Sequence, residues 1–92
     1  MTAMPLQQEK TFVARTIYHH SQRTSEHVTF LVYRDKNGAY ELFDDRETDH
    51  DHIAGTEDYV FEEWGTRNRQ LISDGFIRDN MRGDNKWQQF IS

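Results

Sequence analysis

The 92-residue chain contains no cysteine, one proline and no long apolar run. The lack of cysteine excludes disulfides and thiolate-bound metals. No segment has the apolar length that a bilayer crossing requires, and MTAMPLQQEK lacks the basic and apolar parts of a signal peptide. We therefore expect a cytoplasmic protein that forms a single domain over residues 1–92. Only 35% of the residues are hydrophobic, which predicts a thin core built largely from aromatic side chains.

Alternation of apolar and polar residues predicts three strands, in KTFVARTIYHH, HVTFLVYR and AYELF. In the first strand, Phe12 is expected on the same face as Tyr18. Between the second and third strands, Asn37-Gly38 predicts a type I′ turn and an antiparallel hairpin. The register that follows opposes these pairs: Arg34 with Glu41, Tyr33 with Leu42, and Val32 with Phe43.

Helical periodicity begins after Gly55, in TEDYVFEEWGTRNRQLISD. Thr56 is the expected N-cap, and Gly75 the residue after the end. The expected apolar stripe consists of Val60, Phe61, Trp64, Leu71 and Ile72. An alternative makes DYVFEEW a fourth strand and begins the helix at Thr66.

A short terminal helix after Asp84 would place Trp87, with Phe90 or Ile91, against the sheet. The predicted class is α+β: an antiparallel sheet of three to four strands with one or two helices packed on one face.

Charge is unevenly distributed along the chain. Residues 41–63 hold ten acids and one base, a balance of -9, whereas residues 1–40 and 64–92 each hold five bases and three acids, a balance of +2. Such a segment attracts basic surfaces and repels nucleic acid. The acids expected to bind a partner are Asp44, Asp45, Glu47, Asp49 and Asp51. The plain alternative is a solvated acidic loop.

The same segment contains His50 and His52, whose spacing on a strand would direct both imidazoles to one face, with Asp49 or Asp51 as a further ligand. No apolar residues frame these side chains, and no third ligand is marked elsewhere in the sequence. We therefore predict no specific metal and no cofactor. The sequence also lacks a recognisable nucleophile motif, and its paired carboxylates lie in uniformly polar surroundings, so we predict no enzymatic activity.

A second hypothesis is a small nucleic-acid-binding or regulatory module that uses the C-terminal arginines. If a helix continued through them, Arg67, Arg78 and Arg82 would share a stripe able to contact phosphates. The basic residues expected to contact RNA or a partner are Arg23, Arg67, Arg69, Arg78 and Arg82. The alternative for each is an ordinary solvated charge, and Trp64 and Trp87 are expected in the core.

From KTFVARTIYHH through ETDHDHIAGTEDYVFEEWG to NKWQQFIS, the chain resembles the small phage-encoded anti-CRISPR proteins of the group that acts on the type I-F surveillance complex. The resemblance extends over the whole chain but assigns no role to any numbered residue. It implies a non-enzymatic inhibitor in the cytoplasm of an infected bacterial host. The implied partner is a multi-subunit ribonucleoprotein, bound through its protein subunits and its crRNA, with no membrane and no small-molecule substrate. Binding would stop the complex from engaging target DNA.

Overall fold

The computed structural model describes residues 10–46, 53–83 and 85–88. The elements in chain order are β1 (Lys10–His20), β2 (His27–Asp35), β3 (Tyr40–Asp44), β4 (Ile53–Gly55), α1 (Glu57–Ser73), β5 (Phe76–Gly83) and α2 (Asn85–Gln88). The strands form one antiparallel sheet in the order β4-β3-β2-β1-β5. This confirms the predicted α+β class, although the sheet has five strands rather than three or four.

The two additional strands lie at the edges of the sheet, where sequence signals are weak. β4 has only three residues, and β5 reads FIRDNMRG, with no apolar alternation. Strands β1 to β4 follow one another as a meander, and α1 then crosses the sheet so that β5 pairs with β1. Backbone pairing therefore defines β5, and its charged side chains suit an exposed edge strand.

The predicted register of the β2–β3 hairpin is wrong by one residue. Arg34 opposes Tyr40, and Val32 opposes Leu42. The cause is Asp35, whose Oδ1 accepts hydrogen bonds from the backbone N–H groups of Asn37 and Ala39 at 2.8 and 3.0 Å. In this loop only Gly38 has a positive φ, at 90°, whereas a type I′ turn requires two such residues. The shift transfers every side chain of β3 to the face opposite the predicted one.

The helix boundaries were predicted correctly. Thr56 caps α1, because its Oγ1 accepts a hydrogen bond from the backbone N–H of Tyr59 at 3.2 Å. Gly75 follows the end of the helix with φ 101°, and a Cβ there would lie 2.9 Å from the His20 ring. The alternative of a strand over residues 58–64 is wrong.

The core lies between α1 and one face of the sheet. Tyr18 and Phe30 project from the sheet, and Trp64 of α1 and Trp87 of α2 belong to the same core cluster. All four side chains are fully or almost fully buried. The ring centroids of the two tryptophans are 5.4 Å apart. Burial of both tryptophans and of Val60 and Leu71 is confirmed, whereas Ile72 is exposed. Phe90 and Ile91 lie outside the described residues.

Candidate functional site

The predicted acidic site is only partly described. Glu47, Asp49 and Asp51, like His50 and His52, lie outside the described residues. Asp45 is exposed just after β3, and its backbone N–H donates to the carbonyl oxygen of Thr29 at 3.1 Å. Two of the predicted acids, Asp44 and Asp45, are described, and of these Asp45 is exposed to a partner.

Asp44 is buried and bonded within the fold. Its two carboxylate oxygens accept hydrogen bonds from Arg46 Nε and Nη2, the shortest at 2.6 Å. Arg67 Nε lies 4.0 Å from the same carboxylate, and its Nη1 donates to Glu63 at 2.9 Å. This ion-pair network, Asp44 with Arg46 and Arg67, joins the end of β3 to α1. Asp44 thus links the end of β3 to α1, and its charge is not presented to solvent.

The predicted basic residues are distributed over separate surfaces. Arg23 lies in the β1–β2 loop and pairs with Glu26 at 2.9 Å. Arg69 is exposed on α1. Arg78 Nη1 donates to the buried Asn68 at 3.1 Å, on the core side of the sheet.

The predicted stripe of Arg67, Arg78 and Arg82 is wrong, because α1 ends at Ser73 and the last two residues belong to β5. Arg78 opposes the buried Tyr18, whereas Arg82 opposes Arg15 on the other face of the sheet. The strand therefore directs these two arginines to opposite sides of the molecule.

A polar group is enclosed between the sheet and α1. Tyr18 donates its hydroxyl proton to Asn68 Oδ1 at 2.5 Å, and both residues are fully buried. Burial raises the pKa of Tyr18 above its ordinary value, and the nearby charges of Arg78 and Arg46 only partly oppose this. The tyrosine is therefore a neutral donor that fixes α1 against β1.

Two of the described histidines, His19 and His20, form hydrogen bonds or ion pairs within the fold. His20 Nδ1 accepts backbone N–H groups from Gln22 and Arg23, both at 3.0 Å, which leaves Nε2 to donate to the Asp74 carbonyl oxygen. His19 Nε2 lies 2.8 Å from Asp79. Within residues 10–46, 53–83 and 85–88, no three histidine or carboxylate side chains gather as metal ligands.

The second face of the sheet is uncovered by either described helix, since α1 and α2 both pack on the core side. We call this the open face. Directly opposed residues share a face of a sheet. The pairs Phe12–Tyr33, Arg15–Leu31, Leu31–Phe43 and Arg15–Arg82 therefore all project from the open face.

Three aromatic residues form a row on the open face: Phe12, Tyr33 and Phe43. The ring centroids of Phe12 and Tyr33 are 6.2 Å apart, and those of Tyr33 and Phe43 are 6.0 Å apart, both edge to face. Phe12 is 45% exposed. We call these residues the aromatic row; a register break between Phe12 and Ala14 places Phe12 here rather than beside Tyr18.

Next to the aromatic row lie Arg15 and Arg82, paired across β1 and β5. Arg82 is exposed and Arg15 partly so. Neither side chain forms an ion pair or a hydrogen bond with any described residue, and Arg15 Nε is buried without a partner. We call these two residues the arginine pair. Sequence analysis missed Arg15 and the aromatic row because their shared face depends on the bulge and the hairpin register.

On the other side of the sheet from the arginine pair, α1 carries exposed acidic side chains. Asp58 and Glu62 are exposed four residues apart on α1 and therefore lie on one helix face. Glu57 and Asp58 are 3.5 and 3.8 Å from Lys86 of α2. Among the described residues, exposed acids thus lie along the first turns of α1 as well as just after β3.

Comparison of the chain with models of protein families, with curated proteins and with solved structures gave no match. Neither described helix has the length and apolar content that a membrane crossing requires.

Proposed function

We propose that this chain is a non-enzymatic inhibitor that binds the crRNA-guided type I-F CRISPR surveillance complex and blocks its engagement of target DNA. The observation that carries the proposal is the separation of charge. Exposed acids lie at the end of β3 and along α1, while the arginine pair lies on the open face. A ribonucleoprotein offers both complements: basic grooves that bind nucleic acid, and RNA.

The acidic side suits the groove that receives target DNA. Grooves for a phosphate backbone are lined with Lys and Arg, and a dense negative segment attracts them and accelerates association. Asp45 is exposed for such contact. The proposal also includes Glu47, Asp49 and Asp51, which follow Asp45 in the sequence. Asp44 supports this surface indirectly, by holding the end of β3 against α1.

The direct test uses purified type I-F complex loaded with guide RNA. Binding of the protein is followed by biolayer interferometry, and target DNA capture by mobility shift. We expect stoichiometric binding and loss of DNA capture when the protein is added before the DNA. A guided complex of a different type serves as the control and should not bind. Failure of the parent protein to bind the type I-F complex would contradict the proposed function.

The acidic surface is tested separately with Asp45→Lys/Asp49→Lys. The matched control, Glu26→Lys/Asp74→Lys, makes the same charge change at exposed acids outside residues 41–63. We expect the first variant alone to associate more slowly and to raise Kd at least about tenfold, with the largest effect at low salt. Circular dichroism checks that both variants fold. Equal kinetics of the first variant and the parent would show that the segment is a solvated loop.

A further inference from the structure

The arginine pair is unfavourable for the isolated fold. Like charges directly opposite each other on adjacent strands destabilise a sheet. Arg15 and Arg82 occupy such positions, and neither has a carboxylate partner among the described residues. The acids nearby on the open face are engaged elsewhere: Glu41 Oε1 lies 2.8 Å from Lys10, and Asp79 Oδ2 lies 2.8 Å from His19. The open face therefore presents uncompensated positive charge at one place.

The arginine pair lies in reach of the aromatic row. Arg15 follows Phe12 along β1 on the same face, and Leu31 separates it from Phe43 across the sheet. Neighbouring strands are about 4.8 Å apart, so the distance across the sheet from Phe43 on β3 to Arg82 on β5 is roughly 14 Å. Guanidinium groups beside exposed aromatic rings are the combination with which proteins bind single strands: arginine meets phosphate, and rings stack on bases.

We propose that the open face binds a short single-stranded segment of nucleic acid, with phosphate at Arg15 and Arg82 and bases against Phe12 and Tyr33. In the complex of the proposed function this segment is the exposed guide RNA, and only that identification depends on the proposed function. The site itself is a property of the free protein and can be measured without the complex.

Two other occupants fit the open face less well. A second copy of this chain, related by a twofold axis, would bring the same face with its own arginine pair. Two acids of that face, Glu41 and Asp79, are already in ion pairs. An acidic peptide would satisfy the guanidinium groups but has no use for the aromatic row. A duplex could reach the arginines, but its paired bases could not stack on the rings.

The first measurement is fluorescence anisotropy with a labelled oligouridine of about ten nucleotides, at low salt and across a salt series. We expect Arg15→Gln/Arg82→Gln to lose at least about tenfold in affinity and to reduce the log–log salt slope by about 1.4, which corresponds to two phosphate contacts on a single strand. The charge-matched control is Arg34→Gln/Arg69→Gln, which leaves the open face unchanged and should retain both affinity and slope.

The second measurement tests the rings. Phe12→Leu/Tyr33→Leu keeps apolar bulk while removing the aromatic faces, and it should lose at least about fivefold in affinity. Tyr59→Leu, an equally exposed aromatic on α1, is the control and should bind like the parent. Urea denaturation confirms that each variant folds. A DNA strand of equivalent sequence should bind as the RNA does, because the expected contacts are phosphate and base rings.

Several outcomes would overturn the assignment. These are no binding by the parent protein at low salt, duplex binding as tight as single-strand binding, or an equal loss in the Arg34→Gln/Arg69→Gln control. Full affinity in the Phe12→Leu/Tyr33→Leu variant, together with equal competition by polyglutamate, would identify a general anion patch instead. None of these results depends on whether the protein binds the type I-F complex, so the two proposals fail separately.

Discussion

The two faces of the sheet carry alternate residues of the same strands and have different roles. On the core side, Phe30 and Trp64 are fully buried, and the polar groups of Tyr18 and Asn68 bond to each other. On the open face, Phe12 is 45% exposed and the arginine pair has no partner among the described residues. The core side is thus closed off from solvent by the helices, whereas the open face leaves an aromatic ring and an arginine side chain exposed to solvent.

The largest expected contrast is between two phenylalanines of the same sheet. Phe30→Ala should cost about 3–5 kcal/mol, because it leaves a cavity under α1. Phe12→Ala should cost about 1 kcal/mol or less, since it loses one edge-to-face contact with Tyr33. Urea denaturation followed by circular dichroism measures both. If Phe30→Ala fails to fold, Phe30→Leu supplies a measurable variant, and it should still be less stable than Phe12→Ala. Equal costs would contradict the division between the faces.

A second contrast compares neighbouring acids. Asp44→Asn should destabilise the protein by about 1–3 kcal/mol, because Arg46 and Arg67 lose the buried carboxylate that joins β3 to α1. Asp45→Asn should change stability by no more than about 0.5 kcal/mol, since its side chain is exposed. Thermal denaturation of the two variants at equal pH and salt measures this difference. A similar loss in both would show that the network contributes little.

The core side was predictable from the sequence because each of its signals is local. Thr56 marks the start of the helix, Gly75 follows its end, and Trp64 lies on an apolar helical stripe. Such signals need only the residues within a turn or two. The signals that predicted β1, β2 and β3 were equally local. No such signal marks β5, which pairs with β1 through its backbone.

The open face could not be predicted, because it depends on register. A bulge after Phe12 moves that ring across the sheet, and the Asp35 turn moves Phe43 in the same direction. Each shift is only one residue, but side chains alternate between faces with a period of two. The arginine pair further requires the β1–β5 pairing. The candidate surface therefore arises from a bulge, a local turn and a long-range strand pairing, all of which leave little trace in composition.

A third prediction concerns alkaline pH. An exposed tyrosine in the unfolded chain ionises near pH 10. In the folded protein, burial keeps Tyr18 protonated to higher pH by raising its pKa. The unfolded state therefore releases a proton first, and stability falls as pH rises above about 10, by at most about 1.4 kcal/mol per pH unit from this group.

Tyr18→Phe removes that ionisation together with the hydrogen bond to Asn68. The variant should be less stable at neutral pH but should lose stability less steeply between pH 10 and 12. Urea denaturation at several pH values gives a curve of stability against pH for the parent and for Tyr18→Phe. In the difference between these two curves, the contributions of the other titrating groups cancel. Tyr59→Phe, at an exposed position, should follow the parent curve. Parallel curves for Tyr18→Phe and the parent would contradict the assignment.

The smallest expected effect tests the open face directly through stability. Arg82→Glu places a carboxylate opposite Arg15, so a repulsive cross-strand pair becomes an attractive one. Such pairs contribute about 0.2–1 kcal/mol, and the protein should become more stable by that order. Arg82→Gln, which removes only the repulsion, should lie between the parent and Arg82→Glu. Because the pair is partly exposed, raising the salt concentration should shrink the gains. The urea midpoint, determined at low and high salt, measures these gains in stability.

The same substitution links stability to binding. Arg82→Glu, the most stable variant, should bind the single strand least, since the glutamate competes for Arg15 and repels phosphate. A loss of stability in Arg82→Glu, with the fold retained, would mean that Arg82 is already compensated and that the open face carries no uncompensated charge for a partner to meet.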